Sequence, residues 1–297
     1  MSLLQSAVFR QRAITAIVFV AVMLVGLFWN EISFLVVFGI ITLGSLWEFW
    51  GVTLEKTRLT TLKKIIGLVF GLAIYYTFYT IFTPSQEYIV RGWFQYVIGR
   101  QFFSGLAATT LFTIALFFIL IIVELFDKSQ KSFQNVSYLI AGMFYIAFPF
   151  ALLHQLVGLS GSGFDPKIVF GILWLVWSND TGAYIIGSRM GKTPLAPHIS
   201  PKKTWEGTLG GVFTCIIMGV TLNYLFKGAY HINWSIVAAI VAVFGTLGDL
   251  VESMLKRSVG VKDSGSFMPG HGGFLDRFDA FLFSIPFVAL YVTIISQ

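Results

Sequence analysis

The sequence has little charge and almost no cysteine. Lys, Arg, Asp and Glu make up 11% of its 297 residues, against roughly 25% in an ordinary soluble domain. With 56% hydrophobic residues and a mean hydropathy of +0.81, it cannot be a disordered chain, nor a soluble enzyme, whose interior could not hold that much apolar surface. The single cysteine, Cys215, excludes a disulfide scaffold. The four histidines show no zinc-binding spacing.

Long apolar runs are what the sequence has instead. A helix needs roughly 20 apolar residues to cross the hydrocarbon core of a bilayer. The sequence therefore predicts an all-α polytopic integral membrane protein with about nine transmembrane helices, the first an uncleaved helix and not a signal peptide. The predicted spans are residues 13–29, 32–50, 65–83, 105–126, 138–157, 168–187, 208–226, 234–251 and 279–296. The first two form a tight hairpin at Asn30-Glu31, and the charged aromatic segment 84–104 is interpreted as interfacial.

The basic residues are distributed asymmetrically about these spans. With nine crossings, 16 of the 20 Lys and Arg residues fall on the side of the N-terminus. The positive-inside rule makes that side cytoplasmic, which predicts a multi-pass protein of the plasma (inner) membrane. The same distribution assigns the net charge of +6 to topology and to phosphate binding, so no nucleic-acid partner is expected.

The acidic residues concentrate in the last third of the chain. Residues 1–135 are interpreted as an N-terminal scaffold of about four helices, and residues 136–297 as a C-terminal catalytic region of about five. Within the latter, Asp180 lies inside a predicted span, where a carboxylate costs roughly 2.5–3.5 kcal/mol on insertion scales. It is either a buried hydrogen-bond node or the floor of a polar site.

A second polar segment, residues 200–208, precedes the seventh predicted span. Thr204 is a predicted N-cap, with Glu206 in the first turn of the helix. Lys202 and Lys203 precede that N-terminus, an arrangement suited to binding an anion. The alternative is that both lysines only set membrane topology.

The third segment, residues 248–279, is the densest in charge. Asp249, Ser253 and Lys256 share one helix face at positions i, i+4 and i+7. Asp276 and Asp279 share another face at the start of the last span. Carboxylates beside lysines in a polar pocket at a membrane surface suit Mg²⁺ with a polyphosphate, because Mg²⁺ takes one or two carboxylates and fills its shell with water and phosphate oxygens.

The residues from Ser253 to Asp279 resemble a family signature. Ser253, Lys256-Arg257, Lys262-Asp263, Gly265, Pro269-Gly270-His271-Gly272-Gly273 and Asp276-Arg277-Phe278-Asp279 are similar to the signature of the CDP-diacylglycerol synthases, or phosphatidate cytidylyltransferases. The stretches Ser200–Gly207 and Gly248–Leu250 also match that family's pattern. The motifs together cover roughly residues 178–279, and the N-terminal half is similar only as an apolar scaffold.

The resemblance implies a reaction and roles for individual residues. The reaction converts CTP and phosphatidate from the inner leaflet into CDP-diacylglycerol and pyrophosphate, with Mg²⁺ and room for a second cation. Asp249 and Asp276 are the implied metal ligands, and Asp279, Asp263 and Asp180 are candidates for a second cation or for supporting contacts. Lys202, Lys203, Lys256 and Arg257 are implied to hold phosphates. The other candidate substrate-binding residues are Ser200, Thr204, Glu206, Ser253, Lys262, His271 and Arg277.

The sequence leaves several residue roles and alternative functions open. His271 fits a loop-ordering role and a phosphate contact equally well, and Tyr184 and Trp205 are candidates for stacking on cytosine as well as for ordinary packing. A CTP-dependent polyprenol or dolichol kinase and a CDP-archaeol synthase are the alternative enzymes. A transporter is the distant alternative, because its sites lie near the bilayer midplane between repeated halves. Glycine-rich helix faces are compatible with a homodimer.

Overall fold

The structure, a computed structural model, describes residues 3–82, 105–159, 163–227, 232–265, 267 and 272–295. The predicted interfacial segment 84–104 and the candidate His271 lie outside the described residues. The helices are α1 (Leu3–Phe28), α2 (Glu31–Thr53), α3 (Thr60–Phe82), α4 (Gly105–Leu125), α5 (Ser132–Gly142), α6 (Phe148–Gly158), α7 (Lys167–Met190), α8 (Trp205–Leu225), α9 (Trp234–Ser258) and α10 (Leu275–Ile295).

These helices confirm the predicted all-α membrane architecture. A π-helical turn, Met143–Ala147, joins α5 to α6, so the two form one apolar span, Ser132–Gly158. Each of the nine predicted spans overlaps one helix or this joined pair. Within the described residues, seven spans are long and apolar enough to cross a membrane, and α1 and α4 contain the shorter apolar stretches Ile14–Phe28 and Thr109–Leu125.

The predicted hairpin between α1 and α2 is held by a capping box at the start of α2, formed by Asn30 and Ser33. The side chain of Asn30 accepts a hydrogen bond from the Ser33 backbone at 2.7 Å, and the Ser33 hydroxyl accepts one from the Asn30 backbone at 3.0 Å. This capping box satisfies two of the N–H groups that a helix start leaves without intrahelical partners. It explains why a two-residue connection suffices to reverse the chain.

The chain divides into two compact units. One contains Met1–Phe164 and Asp263–Asp276, and the other contains Asp165–Lys262 and Arg277–Gln297. The first unit therefore includes much of the signature segment, although that segment lies far along the chain. The assignment of a scaffold role to residues 1–135 and a catalytic role to residues 136–297 is functional and stays a prediction.

The first unit is held at one end by a buried polar network. Lys63 is fully buried and forms ion pairs with Glu124 at 2.7 Å and with Asp127 at 2.8 Å. Asn135 donates to Glu124 at 2.9 Å and accepts from the Glu55 backbone at 3.1 Å. These bonds tie the α2–α3 loop to α3, α4 and α5. The charge of Lys63 therefore stabilises the fold in addition to its expected effect on membrane topology.

In the second unit, glycines bring α7 and α8 close together. A Cβ atom on Gly182 would collide with Thr214, and one on Gly210 would collide with Ile186. Small residues at helix interfaces allow such close backbone approach in membranes. Between these helices the chain forms a two-stranded antiparallel hairpin, β1 (Pro194–Ala196) and β2 (Ser200–Thr204), which pairs Pro194 with Thr204 and Ala196 with Ser200. The sequence reading did not predict this hairpin.

Candidate active site

A polar cavity of about 500 Å³ opens in the second unit. Its walls come from α7, the hairpin strand β2, the start of α8 and the middle of α9. Four charged side chains line it, and small residues between them leave the space open: Asp180, Lys202, Lys203 and Asp249, with Gly187, Gly207 and Gly245. The structure therefore brings together three segments that the sequence reading grouped by their charge.

An ion pair in the cavity joins Lys203 to Asp249. The lysine side chain is 25% exposed and the aspartate side chain is 37% exposed. Asp180, which is exposed at the cavity, interacts electrostatically with Asp249, Lys203 and Arg277. Asp180 therefore lines the cavity, and its predicted role in a polar functional site stays a prediction.

A row of carboxylates continues from Asp249 along α9 and α10. Asp279 interacts electrostatically with Asp249 and Glu252, and Glu252 pairs with Lys256 at 2.7 Å. Ser253 donates to Asp249 at 3.5 Å, so the predicted shared face exists. Lys256, however, pairs with Glu252, and the lysine that faces Asp249 is Lys203 from β2.

The hairpin that carries Lys202 and Lys203 is fixed by Glu206. Its carboxylate accepts hydrogen bonds from the backbone N–H groups of Lys192 and Thr193 at 3.1 Å and from the Thr193 hydroxyl at 2.8 Å. Thr204 caps α8 by accepting from the Gly207 backbone at 3.2 Å, which confirms the predicted N-cap. Glu206 lies in the first turn as predicted, and its contacts give it a clear structural role beside the proposed substrate contact.

Asp276 lies in the first unit, at the start of α10. Its carboxylate accepts from the backbone N–H groups of Gly273 at 2.8 Å and Ser264 at 3.1 Å. Glu48, from α2, accepts from the Leu275 backbone at 3.0 Å and the Ser264 hydroxyl at 3.3 Å. The metal site predicted from Asp249 and Asp276 draws on residues of both units and stays a prediction.

Several candidate residues do not line this cavity. Arg257 is exposed and donates to the Val261 carbonyl at 3.3 Å. Lys262, Asp263 and Arg277 are also exposed, and Ser200 pairs with Ala196 in the hairpin. Tyr184 lines the cavity and is 76% exposed, whereas Trp205 is not among its lining residues. The substrate contacts proposed for these residues stay predictions.

The donor set of the cavity fits a hard divalent cation. Among the described residues, no three His, Cys, Asp or Glu side chains are grouped to hold a metal alone, but Mg²⁺ needs only one or two carboxylates when water and phosphate oxygens complete its shell. Asp180 and Asp249 supply such oxygens. Asn179, which is buried, adds an amide oxygen that has no hydrogen-bond partner within the described chain. The residues present therefore fit the predicted Mg²⁺.

Sequence reasoning missed three residues with polar contacts near the signature or the cavity. Glu48 is the one charged residue in α2 after Glu31, and only the fold shows that it contacts the signature segment. Glu252 was not predicted as a site residue, although it lies four residues before Lys256, the spacing of an i, i+4 ion pair. Asn179 precedes Asp180, and its type could have suggested an oxygen ligand.

The fold and the cavity define a class: a polytopic membrane protein with acidic and basic side chains lining one cavity. The family model that matches is the cytidylyltransferase family, over residues 10–295. The chain therefore belongs to the cytidylyltransferase family and is a nucleotidyltransferase, as the signature between Ser253 and Asp279 predicted.

Curated relatives support the same placement. The chain is 32% identical over 294 residues to the phosphatidate cytidylyltransferase of Bacillus subtilis (strain 168), a match covering 97% of this chain and 98% of that protein. It is 40% identical over 176 residues to the phosphatidate cytidylyltransferase of Staphylococcus aureus (strain COL), covering 58% of this chain and 65% of that protein. The protein of the same name from Staphylococcus haemolyticus (strain JCSC1435) is 42% identical over 176 residues.

Proposed function

We propose that this chain is a phosphatidate cytidylyltransferase that converts CTP and phosphatidate into CDP-diacylglycerol and pyrophosphate. The observation that carries the proposal is the cavity in which Lys203 faces Asp249 beside Asp180 and Lys202. Full-length similarity to the Bacillus subtilis phosphatidate cytidylyltransferase supports the choice of substrates. All described residues that line the cavity come from the C-terminal half of the chain, which argues against a transporter, whose sites lie between repeated halves.

The reaction needs positioning and charge neutralisation more than a base. The attacking group is a phosphate monoester, which is largely ionised at pH 7 because its second pKa is about 6. One of its oxygens forms a bond to the α-phosphorus of CTP, and the bond from that phosphorus to the β-phosphate oxygen breaks, releasing pyrophosphate. The enzyme must therefore hold two polyanions in line and stabilise the charge on the leaving group.

The residues of the cavity divide this work. Lys202 and Lys203 lie just ahead of the N-terminus of α8, where the positive end of the helix dipole adds to their charge. They hold the triphosphate of CTP. Asp249 orients Lys203 through their ion pair, and Thr204 and Glu206 fix the strand on which both lysines stand.

The carboxylates Asp180 and Asp249, with Asp279 and Asp276 as further candidates, would hold Mg²⁺, which when bound neutralises phosphate charge and supplies Lewis-acid stabilisation. Arg257, Lys256 and Lys262 are placed on or after the last turns of α9 and are proposed to attract the phosphates of the incoming substrates. The orientation follows from the 16 basic residues on the side of the N-terminus. The N-terminus and the cavity are proposed to face the cytoplasm across the plasma membrane.

The test is a label-transfer assay with the purified full chain in lipid nanodiscs. CTP labelled at the α-phosphate or at the γ-phosphate is offered with phosphatidate, a polyprenol or the archaeal ether analogue of phosphatidate. We expect the α-label to enter lipid only with phosphatidate, in the presence of Mg²⁺. Transfer of the γ-label to polyprenol would identify a kinase, and preference for the ether lipid would identify a CDP-archaeol synthase.

A further inference from the structure

A second cavity lies wholly in the first unit. It is a groove of about 720 Å³, open on one side, within the range of about 300–1,000 Å³ typical of ligand sites. Helices α2 and α3 and the signature residues Ser264 and Gly265 form its walls. Most of the lining is apolar: Ile40, Leu43, Leu68, Phe267 and Phe274.

The groove contains a single basic side chain among the described residues, Lys64. Lys64 is 9% exposed, donates to the Trp47 carbonyl at 3.1 Å and lies 4.3 Å from the centre of the Trp47 ring. Within the described chain, no carboxylate pairs with it. A largely buried ammonium group without a counter-anion is costly, and an anionic ligand in the groove would remove that cost.

The order of residues along the helices gives the groove a direction. Lys64 is the fifth residue of α3, and Glu48 is five residues before the last residue of α2, so both lie at the end joined by loop 54–59. Leu68 lies about one turn deeper in α3, and Leu43 and Ile40 lie about one and two turns deeper in α2. Charge therefore sits near the membrane surface and apolar lining extends toward the bilayer interior, which is the orientation of a phospholipid.

We propose that this groove binds phosphatidate, with Lys64 contacting the phosphate and the apolar lining contacting the acyl chains. The proposal rests on the proposed function, since it names the place where the lipid substrate of that reaction is held. The other charged lining residue, Glu48, has its carboxylate engaged by the Leu275 N–H and the Ser264 hydroxyl and forms no ion pair with Lys64. Those bonds hold the signature segment in place. That segment forms one wall of the groove and also bears Asp276.

A binding measurement without turnover tests this directly. The full chain is placed in nanodiscs containing phosphatidate or phosphatidylcholine with brominated acyl chains, and no CTP is added. Bromine quenches nearby tryptophans, and the Trp47 signal is the difference between wild type and Trp47→Phe. We expect brominated phosphatidate to quench this signal several-fold more efficiently than brominated phosphatidylcholine, and Lys64→Met to abolish the difference.

Equal quenching of Trp47 by the two lipids in the wild type would overturn the proposal, because it would identify ordinary boundary lipid. If Lys64→Met does not fold, Gly51→Leu replaces it as the test. Gly51 lines the groove, and a Cβ there would lie 3.2 Å from the Lys64 ammonium, so the longer side chain would fill the groove. We expect it to remove the preference for phosphatidate.

Steady-state kinetics provides the second readout. Loss of a hydrogen bond to a charged group costs about tenfold or more in affinity, so Lys64→Met should raise the KM for phosphatidate by about that factor while the KM for CTP changes less than about twofold. Lys64→Arg should restore most of the loss. The exposed Lys128 supplies the matched control, Lys128→Ala, which should leave both constants unchanged. An equal rise in both KM values would contradict a lipid-specific role.

The two proposals can fail separately. If the wild type makes no CDP-diacylglycerol but Trp47 is still quenched selectively by phosphatidate, the reaction is wrong and the lipid site stands. If the wild type is active and the quenching is unselective, the reaction stands and the lipid groove is wrong.

Discussion

At the residue scale, three lysines that carry the same charge have three different environments. Lys63 is buried between Glu124 and Asp127 and serves the fold. Lys203 pairs with Asp249 in an open cavity and keeps 25% of its side chain exposed. Lys64 is nearly buried next to Trp47 and has no carboxylate partner within the described residues. The partner of each lysine, more than its charge, determines what it can do.

The first prediction concerns Asp249. Replacement by Asn removes the charge that pairs with Lys203 and one of the proposed oxygen ligands, so we expect kcat to fall by about 10²–10³, as for the loss of other electrostatic groups in active sites. Label transfer from CTP measures the effect. Asp165→Asn, which breaks an exposed pair with Lys167, is the matched control and should retain activity. Near-normal turnover of Asp249→Asn would remove Asp249 from the site.

The second prediction concerns the buried ion pair of the first unit. Lys63→Met leaves Glu124 and Asp127 without their buried cation, which typically costs about 3–5 kcal/mol. We expect a clear fall in the thermal unfolding temperature, followed by fluorescence in detergent. The exposed Lys128→Ala should unfold like wild type. Unchanged unfolding of Lys63→Met would show that the network contributes little.

The third prediction concerns pH and Asp127. Burial raises the pKa of this carboxyl, but the contacts from Lys63 and Thr57 lower it more, so its pKa lies below the usual range. A lowered folded-state pKa gives stability that is present above the unfolded-state value of about 3.9 and is lost as pH falls through the folded value. Asp127→Asn should therefore be less stable than wild type near pH 7, and the difference should shrink below about pH 4. A difference independent of pH would contradict this.

At the element scale, the hairpin β1–β2 positions the basic side of the cavity. Strand β2 carries Lys202 and Lys203 to the start of α8. Glu206 ties the hairpin down through the backbone of Lys192 and Thr193. A short hairpin of this kind has little stability of its own, so its position depends on such contacts.

The fourth prediction follows for Glu206. Glu206→Ala removes all acceptors of the tether, so the lysines lose their fixed position, and we expect the KM for CTP to rise by about tenfold with little change for phosphatidate, the usual size of a charged hydrogen-bond loss. Glu206→Gln, which keeps one acceptor, should be intermediate. Lys192→Ala is the control, because only the backbone of Lys192 makes the bond. A lower thermal unfolding temperature with an unchanged KM for CTP would assign Glu206 to stability alone.

At the scale of the whole molecule, the distribution of charge sets the orientation in the membrane. With the nine predicted crossings, 16 of the 20 basic residues are expected on the side of the N-terminus. We expect Lys128 to face the cytoplasm and Lys167, at the start of α7, to face the opposite side. The homodimer stays a prediction for native mass spectrometry.

The fifth prediction tests that orientation. The native cysteine, Cys215, is buried and is replaced by Ala to give a cysteine-free background. A membrane-impermeant maleimide applied to intact cells stripped of their wall should label Lys167→Cys and should not label Lys128→Cys. Detergent permeabilisation should make both reactive. The reverse pattern would invert the proposed topology and place the cavity outside the cytoplasm.

The sequence alone determined the membrane class, the positions of the apolar helices and the family, because long apolar runs and a dense signature are local properties of the chain. It also predicted Asp180, Lys203 and Asp249 as site residues, and the structure places all three in the lining of one cavity. Only the tertiary structure decided which charges meet. Lys203 pairs with Asp249, and Glu48 contacts Leu275, although these residues are far apart along the chain. Lys64 has no carboxylate partner among the described residues. Such pairings depend on helix packing, which local patterns do not encode.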